Sequence, residues 1–359
     1  MNPILLSICI PTYNRAEILI SRIQEILQYK GKDIEIIVLD NCSSDNTEQQ
    51  IKNLTDHRIR YYRNRKPLLP STNWIETYKY ANGRFAYHLN DRDHLYGIYL
   101  ENFLNKLNNE ISCGYCIYGE AEAYTEYFGI EARQQVPFSG YHVSGVLINV
   151  EKLKAFYQIT DYQNRTILKQ PNVEPHITLL YDLSTKGAWL DYRSPMSCNA
   201  GAEILNGVSG VINTEGRYSD FAGKLWFEPP YIYSLFMDVL DHILKDKLSK
   251  NDKRKVICSG VERVLKAVTA TYGIYMLSDQ HRFRYGVSRY YINFWKLEKI
   301  LFEMAQKLHT DLAMKDCQLS VSNWFWLIFK TLLRINKFKI YEVKKIWVNN
   351  YKYCKEQIN

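Results

Sequence analysis

The sequence predicts an α/β protein: an open, Rossmann-like, mostly parallel (or mixed) sheet flanked by helices, followed by an all-helical C-terminal region. Three observations carry this. Between residues 5 and 95, apolar β-rich runs alternate with helical patterns, the rhythm of βαβ units. Two of those runs stop abruptly at polar turn residues, Thr12 to Arg15 and Asp40 to Asp45, as strands do when they deliver side chains to the carboxyl edge of a sheet. Beyond about Phe221 the strand signals cease and long amphipathic helical patterns take over. A chain of 359 residues exceeds one usual core, so we expect a sheet domain over 1–220 and a helical domain over 221–359.

The elements follow in order. Strands are expected at 5–10, 34–39, 59–62 and 84–89, with helices over 16–29, 46–54 and 73–81. A loop containing Pro67 and Pro70 precedes the third helix. Asp45, Asn46 and Thr47 suit a helix start, because their side chains accept from free backbone amides and Glu48 adds first-turn charge. Taken alone, Asp40 to Thr47 reads equally as a loop and cap. Further on, 99–107 suits a helix, 116–127 and 141–149 strands, 174–186 a helix ending at Gly187, and 188–192 a returning strand. Helices are then expected over 231–248, 253–277, 288–308, 320–335 and 339–355.

Ser7-Ile-Cys-Ile-Pro-Thr-Tyr-Asn-Arg15 and Ile34-Glu-Ile-Ile-Val-Leu-Asp-Asn-Cys-Ser-Ser-Asp-Asn-Thr47 resemble the opening of the family 2 glycosyltransferases, of the kind that build bacterial capsule or O-antigen. The resemblance covers residues 4–95 well and 139–195 loosely. It implies the GT-A fold and inverting transfer of a sugar from a nucleotide diphosphate donor, a UDP-sugar by preference. The implied acceptor is a glycan or a polyprenyl-diphosphate-linked precursor.

The resemblance places Pro11, Thr12, Tyr13, Asn14 and Arg15 against the base and diphosphate, with Tyr13 able to stack and Arg15 able to fork onto phosphate oxygens. It makes Asp40 the acceptor of a hydrogen bond from the pyrimidine ring and sets Asn41 where many relatives carry a second Asp. Asn73 falls in a turn and helix start beside the nucleotide, where Thr72 replaces a common Arg. Asn90-Asp91-Arg92-Asp93 stands at the aspartate-x-aspartate metal motif, implying Mn²⁺ or Mg²⁺, hard ions that take oxygen ligands and act as Lewis acids on the leaving diphosphate. Two alignments compete here. One puts the pair on Asp91 and Asp93; the other puts it on Asn90 and Arg92, which abolishes the site. Arg92 itself either pairs with a carboxylate or assists the diphosphate.

For the catalytic base the resemblance points to Asn172-Val-Glu174-Pro-His176, where Glu174 and His176 are both candidates and the usual Glu-Asp pair is missing. Glu174 beside Pro175 reads as well as a plain helix N-terminus. Ser139-Gly-Tyr-His-Val-Ser-Gly145 looks like the acceptor-side segment, and its His142 reads as an ordinary loop histidine. Departures at Asn41, Thr72, Arg92 and the missing acid pair leave a second reading open, a catalytically inactive scaffold that binds nucleotide or glycan.

Composition narrows the partners. At 46% hydrophobic and 23% charged residues the chain folds. The net charge of +8 is concentrated at the C-terminus, where 324–355 holds eight Lys or Arg against one acid, Glu342, interleaved with aromatic rings. Such a segment suits either a membrane-surface face, with contact through 320–355, or a helical cap with solvated lysines. No recognition motif accompanies the charge, so nucleic acid is not an expected partner. Among eight cysteines only Cys113 and Cys116 have suggestive spacing, and without a second pair they read as reduced thiols rather than a zinc site. The N-terminal run lacks a basic leader, and no stretch reaches the ~18 apolar residues of a spanning helix. The expected location is cytoplasmic, peripheral at the inner face of the membrane.

Overall fold

Alternation of side chains in the first strands sets the architecture. In β1 (Leu6–Thr12), Leu6, Ile8 and Ile10 face one layer of helices while Cys9 faces the other. The pattern repeats in β2 (Ile34–Asp40) and β4 (Phe85–His88), whose Val38 and Tyr87 join the first layer and Ile37 and Ala86 the second. Strands buried on both faces are near-continuous apolar runs, as parallel strands between two helical layers must be.

The computed structural model describes residues 4–68, 70–117, 122–139, 144–160, 175–193, 196–198, 229–277 and 294–337. The chain divides into two compact units, Met1–Ala222 and Gly223–Asn359. In the first, an eight-stranded sheet runs β3-β2-β1-β4-β8-β6-β9-β7, where β3 is Ile59–Arg63, β6 Ile111–Ile117, β7 Ala123–Tyr127, β8 Val146–Asn149 and β9 Ala188–Arg193. Strands β3, β2, β1 and β4 are mutually parallel, β8 is antiparallel to both β4 and β6, and β6 is parallel to β9. The carboxyl ends of β1, β2, β4, β6 and β9 therefore share one edge. A two-stranded antiparallel ladder of β5 (His94–Leu95) and β10 (Ser197–Cys198) stands apart from the main sheet.

One layer holds α1 (Ala16–Ile26), α2 (Thr47–Lys52) and α4 (Leu100–Leu104), buried through Leu19, Ile23, Ile51, Leu100 and Phe103. The other holds α3 (Pro70–Thr77), α5 (Gly129–Ser139), α6 (Val150–Thr160) and α7 (Pro175–Ser184), packed through Ile75, Ala132, Leu153, Leu179 and Leu183. Each fully buried Leu or Ile contributes about 1.5–3 kcal/mol.

Four expectations shift. Pro70 opens α3 instead of lying in the preceding loop, a position proline favours because the first turn needs no amide donor. The single strand expected over 116–127 is two strands, β6 and β7, on opposite sides of β9. Helix α5 was not expected: of its described side chains only Ala132 is buried, so no apolar stripe announces it. Helix α6 was not expected either; it follows β8 directly and starts just after Asn149, whose Oδ1 accepts from the Lys152 amide at 3.1 Å.

The second unit contains α8 (Pro229–Lys245), α9 (Lys250–Leu277), α10 (Phe294–Met314) and α11 over 321–337. Its core includes Phe236, Val239, Ile243, Val261, Leu265, Leu308, Leu312 and Ile335. The helix expected over 339–355 lies outside the described residues. Among the described residues, no helix is long and apolar enough to cross a membrane.

Candidate active site

Strand β1 runs into the sheet edge at Thr12, which sits opposite Asp40 in the β1–β2 register. The chain then turns through Asn14, held at φ 52°, and Cys42 at φ 69° turns the neighbouring strand. The two turns are stitched together. Asn14 Oδ1 accepts from the Ser44 amide at 2.7 Å, the Asn14 amide donates to Ser43 Oγ at 2.8 Å, and the Asn41 amide donates to the Thr12 carbonyl at 2.9 Å. Asn suits the left-handed region because its short amide can bond locally.

Asp91, three residues past β4, meets this turn. Thr12 Oγ1 donates to its Oδ2 at 2.8 Å, and one terminal nitrogen of Arg15 (Nη1) donates to both carboxylate oxygens at 2.9 and 3.1 Å. Asp91 is 1% exposed while the Arg15 side chain is 31% exposed, so a solvent-facing guanidinium is braced from behind by a buried carboxylate. Tyr13, 45% exposed, flanks it. The sequence thus brings Thr12, Arg15 and Asp91 together from two strands, with Pro11 buried beneath them.

Asp40 is fully buried. Its Oδ1 accepts from the Ser43 amide at 2.8 Å, and its Oδ2 from the Tyr61 hydroxyl at 2.6 Å and from Arg63 at 3.4 Å. Burial, and then the hydrogen bond to Asp40, push the Tyr61 hydroxyl well above its ordinary pKa, so it stays protonated and keeps donating. Asp40 therefore positions its turn and presents no oxygen without a protein donor. Asn41 and Asn73 are likewise used internally. Asn41 bonds both backbone groups of Leu68 and accepts from Asn64, whose Nδ2 also donates to Asn73 Oδ1.

Asp93, 0% exposed, accepts at Oδ2 from Ser144 Oγ at 2.5 Å and from Asn90 Nδ2 at 3.0 Å. Ser144 Oγ in turn accepts from the Asn90 amide. Arg92, between the two acids, is half-buried. Glu174 lies outside the described residues, as does His142. His176 is the second residue of α7.

The Asp91/Asp93 pair does not fit a divalent cation as it stands. Such an ion shared with a diphosphate wants carboxylate oxygens with open coordination. Here both oxygens of Asp91 already accept from Arg15 and one also from Thr12, and Asp93 is buried with its Oδ2 held by Asn90 and Ser144. Among the described residues, no three His, Cys, Asp or Glu gather to hold a metal. The expectation of Mn²⁺ or Mg²⁺ at this pair is not carried by the geometry.

Sequence reading missed Tyr61, Arg63, Ser144 and Asp191. Tyr61 and Arg63 are two apart on β3, hence on one face, beside a strand that ends in an acid; that spacing was a usable signal. Ser144 had none. Asp191, near the carboxyl end of β9, has a buried Oδ1 with no partner among the described residues, and burial raises its pKa against the pull of Arg193.

Comparison with known proteins decides what this edge belongs to. Residues 7–143 match the profile of glycosyl transferase family 2. The N-terminal region is thus similar to family 2 glycosyltransferases. Similar curated proteins include the GalNAc(5)-diNAcBac-PP-undecaprenol β-1,3-glucosyltransferase of Campylobacter jejuni, 37% identical over 106 residues, or 29% of this chain and 34% of that protein. The abequosyltransferase RfbV of Salmonella typhimurium is 39% identical over 88 residues, covering 23% of this chain and 26% of that protein. The UDP-Glc:α-D-GlcNAc-diphosphoundecaprenol β-1,3-glucosyltransferase WfgD of Escherichia coli is 31% identical over 112 residues, covering 31% and 42%. The matched stretches span well under half the length of these relatives. Among solved structures, residues 1–349 of S. aureus TarS in complex with UDP-GlcNAc share the fold at a TM-score of 0.53 and 12% identity, covering 92% of this chain and 89% of that one. The chain thus shares the GT-A fold, as the resemblance implied.

Proposed function

We propose that the chain is an inverting glycosyltransferase that moves a sugar from a nucleotide diphosphate donor, a UDP-sugar by preference, onto a glycan acceptor carried on a polyprenyl diphosphate. The observation that carries this reading is the Thr12–Asp91–Arg15 linkage at the shared strand edge, which sets a solvent-facing guanidinium beside an exposed tyrosine. A guanidinium so held is suited to forked recognition of phosphate. The match of residues 7–143 to the family 2 profile supports the reaction class, and the diphosphoundecaprenol acceptors in two relatives' names support the lipid-linked acceptor.

In the reaction, the acceptor hydroxyl oxygen attacks the anomeric carbon while the bond from that carbon to the diphosphate oxygen breaks, and the hydroxyl proton passes to a base. A single displacement inverts the anomeric centre. Glu174 and His176 stand as bases from the resemblance, and Asp191 joins them through its unpartnered oxygen. Arg15 meets the negative charge that develops on the departing diphosphate. Localisation at the inner membrane face, with contact through 320–355, is part of the same proposal, because a lipid-linked acceptor resides there.

Nucleoside diphosphate release from a panel of nucleotide sugars, with a polyprenyl-diphosphate-linked glycan as acceptor, tests the reading. Loss of transfer in one of Glu174→Gln, His176→Gln or Asp191→Asn, with folding intact, identifies the base. Binding of donor without transfer or hydrolysis under any condition favours the inactive scaffold, a reading to which the buried, hydrogen-bonded carboxylates of Asp40, Asp91 and Asp93 also lend weight.

A further inference from the structure

We propose that Arg15, braced by Asp91, stands in for a divalent cation against the donor diphosphate, so that nucleotide diphosphate binding by this chain does not depend on Mn²⁺ or Mg²⁺. The inference rests on the donor-site reading above and goes beyond it in naming the charge that the site supplies.

Three observations converge. First, the acids at the motif position are buried: Asp91 and Asp93 are 1% and 0% exposed, Thr12 and Arg15 donate to the oxygens of Asp91, and Asn90 and Ser144 donate to Oδ2 of Asp93. Recruiting Asp91, or Oδ2 of Asp93, to a cation means displacing a buried, charge-assisted hydrogen bond. Second, Arg15 spends only one terminal nitrogen (Nη1) on Asp91. Its Nε and its other terminal nitrogen have no partner among the described residues, so the remaining fork can donate to two phosphate oxygens without releasing Asp91. Third, Asn90-Asp91-Arg92-Asp93 carries Arg92 between its two acids, which lowers the net negative charge of the segment that a cation would meet.

The pairing also explains why a buried Asp91 is tolerated. Its charge is matched by Arg15, and the pair presents to solvent a guanidinium of fixed orientation rather than a flexible one. Asp91 is thus a positioning residue, and Arg15 is the group that touches the substrate.

Isothermal titration of the full chain with UDP and with uridine, in EDTA and in MnCl₂, tests this. UDP affinity is expected to agree within about twofold between the two conditions. In EDTA, Arg15→Met is expected to weaken UDP by roughly ten- to a hundredfold, the worth of a charge-assisted hydrogen bond, while uridine affinity stays unchanged. Arg15→Lys, which keeps the charge but not the fork, falls between. The separation of UDP from uridine is what a merely structural role cannot produce: an equal loss of both in Arg15→Met overturns the proposal. UDP binding that weakens by about tenfold or more in EDTA overturns it too, on the unaltered protein, and leaves the donor-site reading standing. If UDP, GDP, CDP and dTDP all fail to bind in either condition, the donor-site reading itself falls and the inference with it.

Discussion

A single hydroxyl joins two strands at the candidate site. Thr12 Oγ1 donates to Asp91 Oδ2 at the position where β1 ends, and the Thr12 backbone carbonyl holds the turn after β2. Removing the hydroxyl while keeping the shape, as in Thr12→Val, leaves the buried carboxylate one donor short. Such a change is expected to destabilise the first unit by about 1–2 kcal/mol, and Thr12→Ser to restore most of it. Chemical denaturation of the two variants measures the difference, and equal stability of Thr12→Val and the parent would show the bond to be worthless. Nearby, Gly145 has φ 94°, and a Cβ there would collide with the Cys116 carbonyl. Glycine is therefore required next to Ser144, the residue that holds Asp93.

At the scale of an element, α8 carries an unusual burden. Asp238 lies in the body of this helix with a buried Oδ2 that has no partner among the described residues, and burial pushes its carboxyl up to about 6, with Asp241 adding to the rise and His242 opposing it. The sign follows from linkage. The folded state keeps this proton to higher pH than the unfolded chain does, whose value is ~3.9, so the folded form loses ground as pH rises from about 4 to about 6 and is level beyond. The penalty above pH 6 is on the order of 1–3 kcal/mol. Asp238→Asn is expected to be the more stable protein at pH 8 and to lose its advantage at pH 4. Thermal melts at both values check this, and a variant no more stable at pH 8 than at pH 4, relative to the parent, contradicts it.

At the scale of the molecule, the helical unit offers a surface that a purely soluble helix avoids. Helix α11 buries Leu327, Thr331 and Ile335 and exposes Phe325, Trp326, Phe329 and Leu333. The three aromatic rings lie 5.8–5.9 Å apart. The helix over 321–337 contains Lys330, Arg334 and Lys337 and no acid. Aromatic rings with basic flanks suit an anionic bilayer surface, each Lys or Arg adding about 1 kcal/mol. In flotation assays the full chain is expected to rise with phosphatidylglycerol vesicles and to stay behind with phosphatidylcholine. The combined Phe325→Ser, Trp326→Ser and Phe329→Ser variant is expected to lose at least about tenfold in binding. Equal flotation of the variant and the parent removes the membrane role from this face.

The sequence by itself determined the order of strands and helices through residue 95, the carboxyl-edge placement of Thr12, Arg15, Asp40 and Asp91, and the change to helices in the C-terminal region. Those are local matters: side-chain period, turn chemistry and capping are written within a few residues of where they act. What each site residue does was decided by tertiary contact alone. Asp91 differs from a cation ligand because Arg15, 76 positions away, fills it, and Asp93 because Ser144, 51 positions away, does. Helix α5 and the separation of β6 from β7 were hidden because little of β7 or of the described part of α5 is buried, so no apolar period marks them, and β7 finds its place only by pairing with β9, distant in the chain. A carboxylate's chemistry depends on its donors and its access to water, and neither is encoded next to it.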